Sequence, residues 1–312
     1  MSPRVSVVVR SINRAEALSE LLEVLLEQKH DSYEIVVVEQ SPDPSGPYWD
    51  KVLTLCNNEC INLIKRKPLG GPKARNVGVS AAEGEIIILI DDDDLPLSKT
   101  WIRQHENAYE DPQLAGFTGR HVRAGGEENP YILPDWFIAK RCMSYSFLNT
   151  PYTYARYDQD VDNVDWLHGT NASLRRSVLK RVEGLWDTRV KSQDEHSFAF
   201  KLKDVLKEDE YIAFKTQPIV KRGVEIQGGM NKRNHSLESE LRNHFDYIFK
   251  ILATYRPKKF NSYYYLYLLW IYFKVVGWIW SPSVNISFSK RLKYFLQLPF
   301  VSWSYQKKYL EN

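Results

Sequence analysis

Residues Glu85–Asp94, EIIILIDDDD, decide how this chain folds. Ile86 to Ile90 are all aliphatic, with no polar alternation. That is what a strand covered on both faces requires, as in a parallel sheet. Four carboxylates follow without a spacer. Adjacent like charges repel and raise one another's pKa, so a fold keeps them only where something positive stands opposite. Upstream, Val5–Val9 (VSVVV) and Glu34–Val38 are further apolar runs, and Ile61–Ile64 is a shorter one. Helical spacing lies between them. Asn13 is placed to cap a helix whose apolar positions are Ala17, Leu18, Leu21, Leu22, Leu25 and Leu26. A second helix is expected from Trp49 to Cys56, after the turn-rich Ser41–Pro47 (SPDPSGP). Gly70-Gly71-Pro72 opens a third, running through Ala82. Strand and helix alternating in this way predict an α/β fold: an open, mostly parallel sheet flanked by helices. Ligands bind beyond the carboxyl ends of such strands. Arg10–Arg14, Glu39–Ser41 and Asp91–Asp94 should therefore converge on one sheet edge.

Beyond Pro96 the pattern is mixed. Leu114–Thr118 and Val164–Leu167 read as short strands, Lys191–Leu206 contains a helix, and from Leu237 the chain is helical and aromatic. The chain's 312 residues suit a catalytic domain over 1–236 and a C-terminal helical, aromatic-rich extension over 237–312. The net charge of +3 hides an asymmetry: nine Lys or Arg and one acid lie in residues 251–312, with 18 of the 41 aromatics. Ser262–Trp280 approaches a bilayer-spanning length of ~20 residues, but its five tyrosines suit the interface better than the lipid core. Helices lying on an anionic membrane face are expected, with a cap on the core or a homo-oligomer contact as alternatives. Cys56, Cys60 and Cys142 form an odd, sparse set that points to free thiols in a reducing compartment. The start, Met-Ser-Pro-Arg, runs straight into a strand, so a cytoplasmic protein, peripheral on the membrane, is expected. No nucleic-acid partner is expected.

Asp91 and Asp93, at alternate positions of extended backbone, can project to one side. They suit a hard divalent cation, Mn²⁺ or Mg²⁺, that bridges phosphates; a solvated acidic turn is the alternative. Gly71–Gly78 (GPKARNVG) brings Lys73 and Arg75 to a helix start, where anionic groups such as a diphosphate are favoured.

Taken together, VSVVVRSINRAEAL, EIVVVEQSPD and GGPKARNVGVSAAEGEIIILIDDDD resemble the family-2 inverting glycosyltransferases, with the A-type, Rossmann-like fold. That family shows a strand ending in Pro-Thr-Tyr-Asn-Arg, one ending in Asp-Asp-Gly-Ser, an Ala-Arg-Asn-x-Gly helix start and an Asp-x-Asp strand end. The likeness covers roughly residues 4–203. It implies that Arg10, Ser11, Glu39 and Gln40 surround the nucleobase, that Arg75 approaches base and phosphates, and that Asp92 meets the ribose. Asp93 takes the metal position, with Asp91 as partner. Arg10-Ser11-Ile12 stands where the family has Pro-Thr-Tyr, and Glu39-Gln40 replaces its acidic pair. A Gln amide can accept from N3–H and donate to O4 of uracil or thymine, so a UDP or dTDP donor is favoured.

Trp166-Leu167-His168-Gly169-Thr170-Asn171 resembles the family's Gly-x-Asn segment, which implies donor or acceptor contacts from Trp166, Gly169 and Asn171; a buried strand and turn is the alternative. Ser192–Lys203 (SQDEHSFAFKLK) is similar to the helix that carries the catalytic base. Its register implies Glu195 as base and Asp194 as second choice, where a helix-capping pair is the alternative. Gly228–Arg233 resembles a mobile loop near the diphosphate. The expected activity is transfer of a sugar from an NDP-sugar to a saccharide or lipid-linked hydroxyl in cell-surface polysaccharide or glycolipid assembly. Two rivals are a nucleotidyltransferase, for which RSINRAEA lacks the glycines, and a non-catalytic sugar-nucleotide-binding scaffold.

Overall fold

The computed structural model describes residues 3–123, 142–151, 159–190, 193–222, 236–280 and 287–310. The apolar runs become β1 (Val5–Ser11), β2 (Tyr33–Glu39), β3 (Ile61–Lys65) and β4 (Ile86–Asp91). Between them lie α1 (Ala15–Leu26), α2 (Pro47–Leu55) and α3 (Gly71–Ala81). Asn13 does not cap α1. It adopts a φ of 55° and gives its N–H to Ser41 Oγ at 2.7 Å, and the helix starts after Arg14 without a side-chain cap. Downstream come β5 (Asp94–Pro96), α4 (Trp101–Asn107), β6 (Leu114–Arg123), β7 (Val161–Asp162), β8 (Ala172–Arg175) and β9 (Tyr211–Arg222). Val164–Leu167 is irregular rather than a strand: Val164 and Trp166 pack into the core, while the pairing falls to the flanking β7 and β8.

The sheet runs β3-β2-β1-β4-β8-β6-β9-β5, with β7 also on β9. β1 to β4 are mutually parallel, and β6 and β9 run with them; β5, β7 and β8 run against. Alternate residues feed two cores, as a period of two demands. Val5, Val7, Val9, Ile86 and Ile88 face α1 residues such as Leu18 and Leu22. Val8, Ile87 and Leu89 join Val79, Trp166, Trp186 and Phe198 on the other side. The registers put Arg10 level with Asp91, and Ser11 level with Glu39. Three polar strand ends thus share one edge.

That edge stands on a buried amide. Asn171, fully buried with a φ of 48°, lies just before β8. Its Oδ1 accepts from Trp101 Nε1 at 2.9 Å and lies 3.2 Å from His105 Nε2, tying in α4. Its Nδ2 donates to Arg120 O of β6 (3.0 Å) and Pro218 O of β9 (3.1 Å). Its carbonyl accepts from Gly119 N–H at 2.7 Å.

The residues form two compact units, Met1–Ser146 with Thr150–Gly229, and Phe147–Asn149 with Met230–Asn312. The second is helical. Leu237–Phe245 runs on through a π-helical stretch, Asp246–Leu252, and is followed by Pro257–Ser262, Tyr264–Trp280 and Phe288–Leu310. Within Tyr264–Trp280, Tyr267, Ile271, Val275 and Ile279 form a buried stripe at intervals of four, the spacing of one helix face. A second stripe points out: Tyr265, Leu269 and Phe273 on this helix, and Leu296, Phe300 and Trp303 on the next, are exposed. No helix among the described residues is long and apolar enough to cross a membrane.

Removing the Asn171 amide strands an indole N–H and two carbonyls. At about 1–3 kcal/mol for each buried unsatisfied group, Asn171→Ala is expected to cost at least about 3 kcal/mol, read from the midpoint of urea unfolding.

Candidate active site

The four aspartates at the end of β4 are each met by a side chain from elsewhere in the fold. Arg10 Nε donates to Asp91 Oδ1 at 2.8 Å, and Nη2 reaches Oδ2 at 3.4 Å. Although burial acts the other way, this guanidinium pulls the Asp91 carboxyl down to about 2. Asp92 is buried and accepts from Ser11 Oγ (2.7 Å) and Arg14 Nη1 (3.0 Å). Its carboxyl still rises to about 6, because burial outweighs both partners. Arg14 Nη1 also reaches Asp93 Oδ2 at 2.9 Å. Asp94 is fully buried: Thr170 Oγ1 donates to its Oδ2 at 2.7 Å, and its Oδ1 has no hydrogen-bond partner. Burial and the Asp91 charge push it up to about 7.

Opposite this cluster lies Arg75, buried in the first turns of α3. It pairs with Asp194, and Nη2 donates to the Gly169 carbonyl at 3.3 Å. Its guanidinium lies 5.1 Å from the Trp186 ring centroid, and Trp186 stacks on Phe198 at 4.1 Å. The neighbouring Asn76 fastens the same loop, donating to Trp186 O (2.9 Å) and accepting from Trp186 N–H (3.0 Å). Arg75 thus sits on a built platform.

Asp194 and Glu195 open the helix Asp194–Val205. Arg75 engages Asp194, whereas burial, reinforced by the Asp194 charge, pushes the Glu195 carboxyl up to about 7. Two adjacent acids are split into an ion-paired one and one poised to exchange a proton near neutral pH. A small cavity lined by Arg10, Arg75, Asp91 and Gly169 lies among these groups.

Other expected residues lie elsewhere or do other work. Glu39 is buried, and Ser41 donates to its Oε1 through both N–H and Oγ. Gln40 is also buried, and its Oε1 accepts from Leu69 N–H at 3.0 Å. Glu39 borders a cavity of about 420 Å³ lined also by Trp49, Lys65 and Arg66. The expected ligand contacts of Trp166 and Asn171 give way to packing: Trp166 lies in the core beside His168 and His196, and both amide groups of Asn171 are consumed internally. Gly169 faces Arg75, and a Cβ there would sit 2.6 Å from Nη2. Gly228–Arg233 lies outside the described residues. Thr170, Asp94, Asn76 and Trp186 were not singled out by sequence. The first three lie inside quoted motifs without a role of their own there, and nothing local marks Trp186 as the seat of Arg75.

The donor set suits a hard cation. Arg14 holds only Oδ2 of Asp93, leaving Oδ1 for a ligand bond. Among the described residues no three His, Cys, Asp or Glu side chains converge as a cage. A divalent ion here would therefore rely on phosphate oxygens and water, as Mg²⁺ does beside one or two carboxylates.

The sequence profile described as Glycosyl transferase family 2 matches residues 6–183, more than half of the chain. The chain belongs to this family. Similar curated proteins include glycosyltransferase GlyG of Streptococcus pneumoniae, 35% identical over 97 residues, 30% of this chain and 32% of GlyG. Another is the glucosyl-dolichyl phosphate glucuronosyltransferase of Haloferax volcanii, 26% identical over 209 residues, 62% of this chain and 59% of that enzyme. The matched part thus spans less than two thirds of either relative. S. aureus TarS 1–349, solved with UDP-GlcNAc, has the same fold, with a TM-score of 0.53 and 15% identity over 97% of this chain and 73% of TarS 1–349. So does the mannosyltransferase PcManGT of Pyrobaculum calidifontis, solved with GDP-Man and Mn²⁺ (TM-score 0.53, 18% identity, 99% of this chain and 85% of that one). The family-2 glycosyltransferase therefore has the A-type fold.

Because the Asp194 charge helps hold Glu195 high, Asp194→Asn is expected to lower the Glu195 pKa from about 7. Carboxyl ¹³C chemical shifts across a pH titration give the answer, and an unmoved midpoint contradicts the assigned coupling.

Proposed function

We propose that this family-2 glycosyltransferase is an inverting enzyme that takes a sugar from a nucleoside-diphosphate donor, UDP or dTDP favoured, to a hydroxyl acceptor. The observation that carries this reading is Glu195, held at about 7 by burial and Asp194, beside a strand end crowded with carboxylates and arginines. Glu195 takes the proton of the acceptor hydroxyl as that oxygen attacks the anomeric carbon. Attack opposite the leaving diphosphate inverts the configuration. Asp194 holds Arg75 in place and leaves the base role to Glu195. A Mn²⁺ or Mg²⁺ held by Asp93 would neutralise the departing diphosphate. The cavity lined by Glu39, Trp49 and Lys65 takes the nucleobase, next in the chain to Gln40, whose amide Nε2 can donate to a pyrimidine carbonyl. Asp92, held by Ser11 Oγ, takes the ribose.

The full chain, given UDP-, dTDP- and GDP-sugars with Mn²⁺, should slowly hydrolyse one donor class. The rate should climb as pH passes about 7 and level off above, since only the ionised Glu195 accepts a proton. Glu195→Gln should keep nucleotide affinity and lower turnover by about 10²–10⁴-fold. A mild Glu195→Gln effect alongside a crippling Asp194→Asn would move the base to Asp194.

The acceptor class follows from the helical unit. We infer that its outward stripe rests on an anionic membrane from the cytoplasmic side, bringing the enzyme to a lipid-linked acceptor in cell-surface polysaccharide or glycolipid assembly. Support comes from exposed Phe273, Phe300 and Trp303 in a segment with nine basic residues and one acid. Each basic group near such a surface adds about 1 kcal/mol, screened by salt. Full-length protein should co-sediment with phosphatidylglycerol vesicles at low salt, and Phe300→Glu with Trp303→Glu should abolish this while sparing donor hydrolysis. Failure of the wild type to sediment rejects the membrane reading; concentration-dependent self-association in its place points to a homo-oligomer.

A further inference from the structure

Arg10 stands where the resembling family carries proline, and the register of β1 against β4 sets it level with Asp91. Its Nε and Nη2 occupy both oxygens of that carboxylate. Asp91 is thereby already paired with a cation that belongs to the chain. The third nitrogen, Nη1, points at the first residue of α3, where a Cβ on Gly71 would overlap it. Arg14 leaves Asp93 one free oxygen, so the two halves of the Asp-x-Asp pair are unequal. The Arg10 side chain keeps 28% of its surface exposed, and it lines a small cavity with Arg75 and Gly169.

We propose that Arg10 is a built-in cation of the acidic cluster, which keeps Asp91 from ligating a divalent ion and itself donates to the donor diphosphate. Nucleotide binding then has a component that needs no metal. The diphosphate half rests on the proposed donor binding; the Asp91 half does not. A carboxylate already paired with a guanidinium is a poorer ligand for a second cation, and a guanidinium has five N–H donors, so the N–H groups that Asp91 does not use remain for phosphate oxygens.

Two measurements on the full chain decide it. The first titrates Mn²⁺ alone, followed by the loss of the free-ion electron paramagnetic resonance signal. Arg10→Ala should bind Mn²⁺ at least tenfold more tightly than wild type, Arg10→Lys should restore the weaker affinity, and Asp93→Ala should lose the site. The second measures UDP and GDP binding by calorimetry in EDTA. Wild type should retain binding to one of them, and Arg10→Ala should weaken it at least tenfold. Unchanged Mn²⁺ affinity in Arg10→Ala overturns the proposal, and so does EDTA-resistant nucleotide binding that ignores the substitution. If wild type binds neither nucleotide with Mn²⁺ or without, the glycosyltransfer reading fails and takes the diphosphate half with it, while the Mn²⁺ titration still judges the Asp91 half. Should Arg10→Ala not fold, Gly71→Ala supplies the same test by crowding Nη1, with a smaller shift expected in the same direction.

Discussion

Four carboxylates in a row at the end of a buried strand cannot coexist without compensation, and most of the site is that compensation. Water cannot reach the strand end freely, so the charge is balanced by protein: Arg10 and Arg14 from the end of β1 and beyond it, Ser11 beside them, Thr170 from the far side. The balance is uneven by construction. Asp91 is held ionised, while burial pushes Asp92 and Asp94 toward neutrality. Four identical side chains are thereby divided: Asp91 and Asp93 are ion-paired and partly exposed, and Asp92 and Asp94 are buried. Environment rather than residue type assigns each its work.

The same logic governs the second pair of acids. Arg75 and Asp194 are 119 residues apart in sequence, and they meet because α3 and the Asp194–Val205 helix bring their first turns together. Burial lowers the guanidinium pKa, a cost offset by its partner and by the Trp186 face. Once Asp194 is engaged, Glu195 is the carboxyl whose protonation is open to change near neutral pH. Buried ion pairs of this kind add little to stability compared with apolar packing; here the pair's consequence is to sort two neighbouring acids into distinct states.

Much of this was legible in the sequence because it is local. Aliphatic runs without alternation marked β1, β2 and β4, and a parallel sheet brings their ends together, so Arg10, Glu39 and Asp91 could be placed on one edge from spacing alone. What the sequence hid depends on distant packing. Asn171 looked like a ligand contact from its motif, but whether an amide faces a cavity or a core depends on Trp101, His105, Arg120 and Pro218, from three other elements. Asn13 has the side chain of a helix cap, yet the turn into Ser41 takes its backbone out of capping geometry. Trp186 carries no local signal, since its role exists only once Arg75 lies over it. Val164–Leu167 has strand composition, but its apolar side chains pack into the core, with Val164 N–H bonded to Ile212 O at 3.0 Å.

Gly71 and Gly169 each leave open the volume that one guanidinium fills, Arg10 in the first case and Arg75 in the second. An arginine at either place is therefore half of a two-position requirement, and its glycine has no other visible reason to be bare. The two positions of each pair are bound to drift together: a lineage that shortens residue 10 is released to enlarge residue 71, and one that enlarges residue 71 first must give up the guanidinium's present seat. Read across descendants of this chain, the size of residue 71 becomes a record of whether position 10 still carries its charge.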